Sequence, residues 1–132
     1  MMKTSADIVA AAKASIQEVS VSELANVLGD HHTILIDVRE PDEFAAGHID
    51  RAVNYPRGVL EMRIHQHPEV AAQCDTATAL AQLAQRPIYL ICRSGARSAL
   101  AAEALLRMGF ISVYSVAGGV TEWQALNLPL EQ

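Results

Sequence analysis

The sequence predicts an α/β fold, a three-layer α/β/α sandwich in which helices cover both faces of a mainly parallel sheet. Three observations carry that prediction. Residues 33–38 and 87–91 are apolar at nearly every consecutive position, the pattern of strands buried on both faces. Segments of helical period alternate with strand-like ones, the order that strand–helix–strand units produce. The joints between them are short and marked by Gly or Pro, as parallel strands joined by right-handed crossovers require.

Each element has its own local signal. Residues 16–19 read as a short first strand. Ser20 and Glu23 have capping-box spacing and open a helix through Leu28, with Val21, Leu24, Ala25 and Leu28 on its apolar side and Gly29 at its end. Residues 33–38 form the second strand, which ends on the polar pair Asp37 and Arg39. Pro41, followed by acidic Asp42 and Glu43, starts a helix that Gly47 stops. Residues 52–55 give a third strand, and Arg57-Gly58 a turn. Beyond it come a helical piece near residues 60–64 and a helix around 76–84. Residues 87–91 run straight into Cys92. Ala-rich residues 98–108 form the next helix, with Arg107 in its last turn, Gly109 as its cap and Phe110 folding back onto Leu105. A last strand over residues 111–116, a Gly118-Gly119 turn and a helix over 121–126 carrying Trp123 complete the series.

Composition narrows the function. A chain of 132 residues, 51% hydrophobic, is sized for one core. Ten basic against fifteen acidic residues, net −5, give no electrostatic reason to bind nucleic acid or anionic membrane, so any anion site must be local. Two cysteines without CxxC spacing, Cys74 and Cys92, supply neither a disulfide framework nor a zinc site and fit a reduced, cytoplasmic setting. The apolar run at residues 8–12 is too short for a secretory signal, and nothing approaches the ~18 apolar residues of a membrane span, so a soluble protein is expected. Residues 1–15 read as an N-terminal helical extension, with the domain proper over 16–132.

Cys92 lies at the carboxyl end of a strand that should be central, which is where open parallel sheets place their ligands. Residues 92–97, Cys-Arg-Ser-Gly-Ala-Arg, with Gly95 relieving strain, can curl so that successive N–H groups point inward before a helix begins. Backbone donors, the helix N-terminus and the guanidinium groups of Arg93 and Arg97 favour thiolate over thiol, and the same ring suits a negative terminal sulfur. A catalytic Cys92 therefore outweighs a merely buried one. Cys74 has no such surroundings and reads as structural or incidental.

Asp37-Val38-Arg39-Glu40, Phe44-Ala45-Ala46-Gly47-His48-Ile49, residues 92–98 and residues 118–123 (Gly-Gly-Val-Thr-Glu-Trp) together resemble a single-domain rhodanese across residues 16–130. The resemblance implies a five-stranded parallel sheet and a double-displacement sulfurtransferase. Cys92 would take sulfane sulfur from thiosulfate or polysulfide as a persulfide and pass it to a thiol, cyanide or protein acceptor, with ping-pong kinetics and no metal or other cofactor. Arg93, Ser94, Gly95, Ala96 and Arg97 would form the substrate loop. Arg57, leaving another carboxyl strand end, would reach its rim or else be a solvated surface residue. Asp37, Arg39 and His48 read as scaffolding, His31, His32, His65 and His67 as exposed loop histidines, and Trp123 as packed core.

Two rivals are set against this. A phosphatase or arsenate reductase of the related cell-cycle phosphatase type has a loop one residue longer, with His before Cys and Arg six positions after it. Here Ile91 precedes Cys92, Arg97 is at the fifth position and Ser98 at the sixth. A docking or sulfur-delivery module that works only with a partner protein is the other, and the intact Cys92 argues against an inert form of it but not against protein-to-protein delivery.

Overall fold

A computed structural model describes residues 1–132. Its sheet has five strands, β1 (Gln17–Val19), β2 (Ile34–Asp37), β3 (Val53–Asn54), β4 (Ile88–Ile91) and β5 (Val113–Val116), in the order β1-β5-β4-β2-β3 with every neighbouring pair parallel. The helices are α1 (Ser5–Lys13), α2 (Val21–Val27), α3 (Pro41–Ala46), α4 (Leu60–Arg63), α5 (Thr76–Leu83), α6 (Ala96–Met108) and α7 (Gly119–Ala125). Short 3-10 turns at Ile64–Gln66 and Pro68–Val70 link α4 to α5.

The period of two along each strand sorts the core into two layers. Ile34, Ile36, Leu90 and Val113 meet Leu60, Leu83, Ala101 and Leu105 from α4, α5 and α6. Leu35, Tyr89, Ile91 and Val116 meet Leu24 of α2 and Val120 and Trp123 of α7. Central β4 is buried at all four positions, which accounts for its unbroken apolar run. The α/β/α sandwich predicted from alternation is the observed architecture. α1 lies along α6, capped by a reciprocal Thr4–Asp7 box, with Ala12 fully buried against its neighbour.

The differences from the predicted elements lie at their ends. The helix after Cys92 starts at Ala96 rather than Ser98, because Gly95 takes a left-handed conformation (φ 105°) and frees the next two residues to be helical. α7 likewise starts at Gly119, after Gly118 in the same region (φ 83°). The capping box of Ser20 and Glu23 forms as the spacing predicts.

His67 is not exposed. Its ring is buried, Nδ1 accepts the Glu69 N–H at 3.1 Å, and desolvation pulls its pKa down to about 4, so it stays neutral near pH 7. Trp123 is 4% exposed and donates to the Pro129 carbonyl at 2.9 Å, the packed position expected of it.

Candidate active site

Parallel pairing of β4 with β2 and β5 places Cys92 at the carboxyl edge of the sheet between its two neighbours. The turn that follows is tight: Gly95 N–H donates to Cys92 Sγ at 3.1 Å and Ser98 N–H at 3.4 Å, while Ser98 Oγ lies 3.4 Å from the same sulfur. The carbonyls of this turn face the other way. Cys92 O accepts the Val120 amide at 2.9 Å and Arg93 O accepts the Thr121 amide at 3.0 Å. The first turn of α7 thus holds the back of the loop, and the donors are left on the sulfur side.

That asymmetry is the electrostatic content of the site. A sulfur that accepts two backbone N–H groups, with a hydroxyl beside it, at the positive end of the 13-residue α6 is an environment that solvates negative charge. Cys92 is 1% exposed, so bulk water contributes little to that solvation. Cys74, the other cysteine, is free and exposed, far in character from this cradle.

The arginines divide. Arg93 is exposed and has no ion-pair partner, and with Arg39, Glu43, Val120 and Thr121 it lines a cleft of about 390 Å³ beside the loop. Arg97 belongs to the first turn of α6 and is committed to Glu43 through two hydrogen bonds of 2.6 and 3.0 Å. Those bonds hold the Glu43 carboxyl at about 2. An ion pair with so low a carboxyl pKa is complete above the ordinary glutamate range and is lost only as pH falls through about 2. Glu43 therefore stays ionised beside Arg97 throughout the neutral range. Arg57 ends on Glu61 at 2.8 Å, a half-buried i,i+4 pair within its own segment, and makes no hydrogen bond to the Cys92 loop. Ser94 is exposed in the turn, while Ala96, half-buried, is the first residue of α6 rather than part of the loop.

The surrounding motif residues act as scaffold. Arg39, 6% exposed, donates to both oxygens of fully buried Asp37 and, at 2.7 Å, to the Gly47 carbonyl, tying the end of β2 to the end of α3. His48 stacks on Phe44 with ring centres 3.8 Å apart and bonds the Phe44 carbonyl through Nδ1 at 2.8 Å. Sequence reasoning missed Ser115, which is fully buried on β5 and lies 2.8 Å from Ser98 Oγ. The signal available was a serine in the middle of an otherwise buried strand.

Comparison with known proteins agrees with this geometry. Residues 20–126 match the family model described as "Rhodanese-like domain". A putative mitochondrial thiosulfate sulfurtransferase of Schizosaccharomyces pombe is 35% identical over 72% of the chain, which spans 66% of that protein's length. A sulfurtransferase of Allochromatium vinosum is 28% identical over 87% of the chain and 94% of its own length. Among solved structures, a polysulfide-sulfur transferase homodimer from Wolinella succinogenes superposes with a TM-score of 0.70 at 30% identity, covering 93% of this chain and 83% of that one. The family match covers strands β2 to β5, the Cys92 turn and the α7 segment that grips it. With these elements in common, the chain belongs to the rhodanese-like domain family.

Proposed function

We propose that this protein is a sulfurtransferase that carries sulfane sulfur on Cys92, taking it from thiosulfate or polysulfide and delivering it to a thiol, cyanide or protein thiolate. The observation that supports this best is the pair of backbone N–H donors on Cys92 Sγ with the Cys92 and Arg93 carbonyls turned away. In the first step the Cys92 thiolate attacks the outer sulfur of thiosulfate. A new S–S bond forms, the old one breaks, and sulfite leaves with the electron pair. The terminal sulfur of the persulfide carries the negative charge, and the amides of Ser94, Ala96 and Arg97, which have no backbone partner, are the donors at hand for it. An acceptor then attacks that outer sulfur, and the Cys92 thiolate is the leaving group, giving ping-pong kinetics.

In this reading Arg93 is the cation that meets the incoming anion, while Arg97 is a strut held by Glu43. Arg57 supports the rim through Glu61. Residues 1–15 are an appendage that packs onto a domain spanning 16–132. Two free thiols suit a reducing, cytoplasmic compartment, and no helix is long and apolar enough to cross a membrane. The reaction needs no cofactor.

Intact-protein mass spectrometry after incubation with thiosulfate or polysulfide tests the carrier directly. The expected result is a reductant-labile gain of one sulfur, about 32 Da; no gain from either donor would refute the proposal. Releasing the strut gives a second expected result. Glu43→Gln frees the Arg97 guanidinium beside the loop, and the KM for thiosulfate should fall roughly two- to five-fold at low salt, with the gain fading as ionic strength screens it. An unchanged KM would mean that Arg97 does not face the substrate even when released.

A further inference from the structure

Ser115 sits where a hydroxyl is expensive. It is fully buried on β5, paired in register with Leu90, and by the period of two it shares the sheet face of Leu90 and Cys92. A buried hydroxyl must be bonded to be tolerated. Its one side-chain partner is Ser98 Oγ at 2.8 Å, and Ser98 Oγ in turn is 3.4 Å from Cys92 Sγ. Three polar atoms thus form a row from the interior of the sheet to the reacting sulfur.

Proton counting gives this row a direction. Each serine hydroxyl has one proton to donate, and two links join the three atoms. With Cys92 as thiolate, two protons serve two links: Ser115 donates to Ser98 and Ser98 donates to sulfur. With Cys92 as thiol, three protons share the same two links, and one buried proton has no acceptor in the row.

Ser115 also fixes the Ser98 rotamer. Ser98 lies in the first turns of α6, where a serine hydroxyl otherwise turns back onto a carbonyl of its own helix. The bond to β5 holds it facing the sulfur.

We propose that Ser115 is a positioning residue for the sulfur-carrying cysteine: by donating to Ser98, it aims the Ser98 proton at Cys92 Sγ and favours the anionic sulfur that reacts. This rests on the reading of Cys92 as the carrier. Buried beneath the loop, Ser115 meets no substrate, so its effect passes entirely through Ser98.

The test compares Ser115→Ala, Ser115→Thr and Ser115→Val in a Cys74→Ser background, where Cys92 is the only thiol. Thr and Val have nearly the same volume and differ in the hydroxyl, which separates the hydrogen bond from packing. The readouts at neutral pH are the ultraviolet absorbance of the thiolate and the rate of alkylation by iodoacetamide. Ala and Val are expected to lower the thiolate fraction and the alkylation rate by roughly three- to ten-fold, the worth of the one neutral hydrogen bond they remove. Thr is expected to stay within about two-fold of the parent, since it keeps the donor.

Equal values for Thr and Val, or an Ala variant indistinguishable from the parent, would overturn the proposal. If the Thr and Val chains do not fold, the Ala variant alone decides by the same two readouts. These readouts need no sulfur donor. A parent that shows the serine effect yet gains no sulfur from thiosulfate or polysulfide would refute the carrier reading and leave the relay standing.

Discussion

Replacing Cys92 with serine is expected to abolish sulfur transfer, by at least about a thousand-fold in the thiosulfate–cyanide assay, while moving the melting temperature by only a few degrees. The two halves of that expectation have different causes. Activity depends on a thiolate that can attack sulfur and then leave from it, and an alkoxide formed at neutral pH does neither. Stability depends on filling a site that is 1% exposed and on satisfying the Gly95 and Ser98 amides, and a serine oxygen does both with a small loss of volume. Thiosulfate kinetics, a thermal melt and the mass measurement on one preparation check all of it. Full residual transfer would shift the chemistry to exposed Cys74, the other free thiol.

Gly119→Ala is expected to damage fold and activity together. A Cβ at this position would collide with the Cys92 carbonyl oxygen and stand 2.6 Å from both the carbonyl carbon and the oxygen of Arg93, all of them backbone atoms, and Gly119 has φ of +55°. No rotamer change relieves such a contact. Either α7 lifts and breaks the Val120 and Thr121 bonds to the loop carbonyls, or the loop shifts and the sulfur loses donors. Left-handed strain and the displaced backbone together should cost roughly 2–4 kcal/mol, and transfer should fall on the order of a hundred-fold.

Gly118→Ala is the internal comparison. Its Cβ would meet only the Glu122 side chain, at 2.7 Å from Cβ, with φ of +83°. It should destabilise by about 1–2 kcal/mol and leave transfer within a few-fold. Equal activity losses in the two variants would show that the contact with the Cys92 loop is not what matters.

The fold was legible because burial on two faces leaves a mark on consecutive residues, as in residues 88–91. The turn that seats Cys92 was legible because a buried strand running into Cys-x-x-Gly before a helix places a thiol at the carboxyl edge of the sheet, and the structure has it there. What was not legible depends on partners distant in sequence. Arg97 is neutralised by Glu43, 54 residues away, and nothing near either residue announces the other. Arg57 illustrates the same limit at short range, since a glutamate four residues on suffices to hold it. His67 was misplaced because its burial is made by tertiary packing around a segment with little periodicity of its own. Ser115 could have been questioned as a polar residue within a buried strand, but only the fold reveals Ser98 as the reason.

The grip of α7 on the Cys92 turn also imposes an order in time. Cys92 leaves the ribosome well before Gly119, Val120 and Thr121, so the nascent chain bears the cysteine while the residues that turn its loop carbonyls outward do not yet exist. Until they arrive, the side chain sits on an unbraced turn. The Cys92 turn is thus completed among the last events of the protein's own synthesis, and a chain cut short before α7 carries the cysteine without the helix that braces its loop.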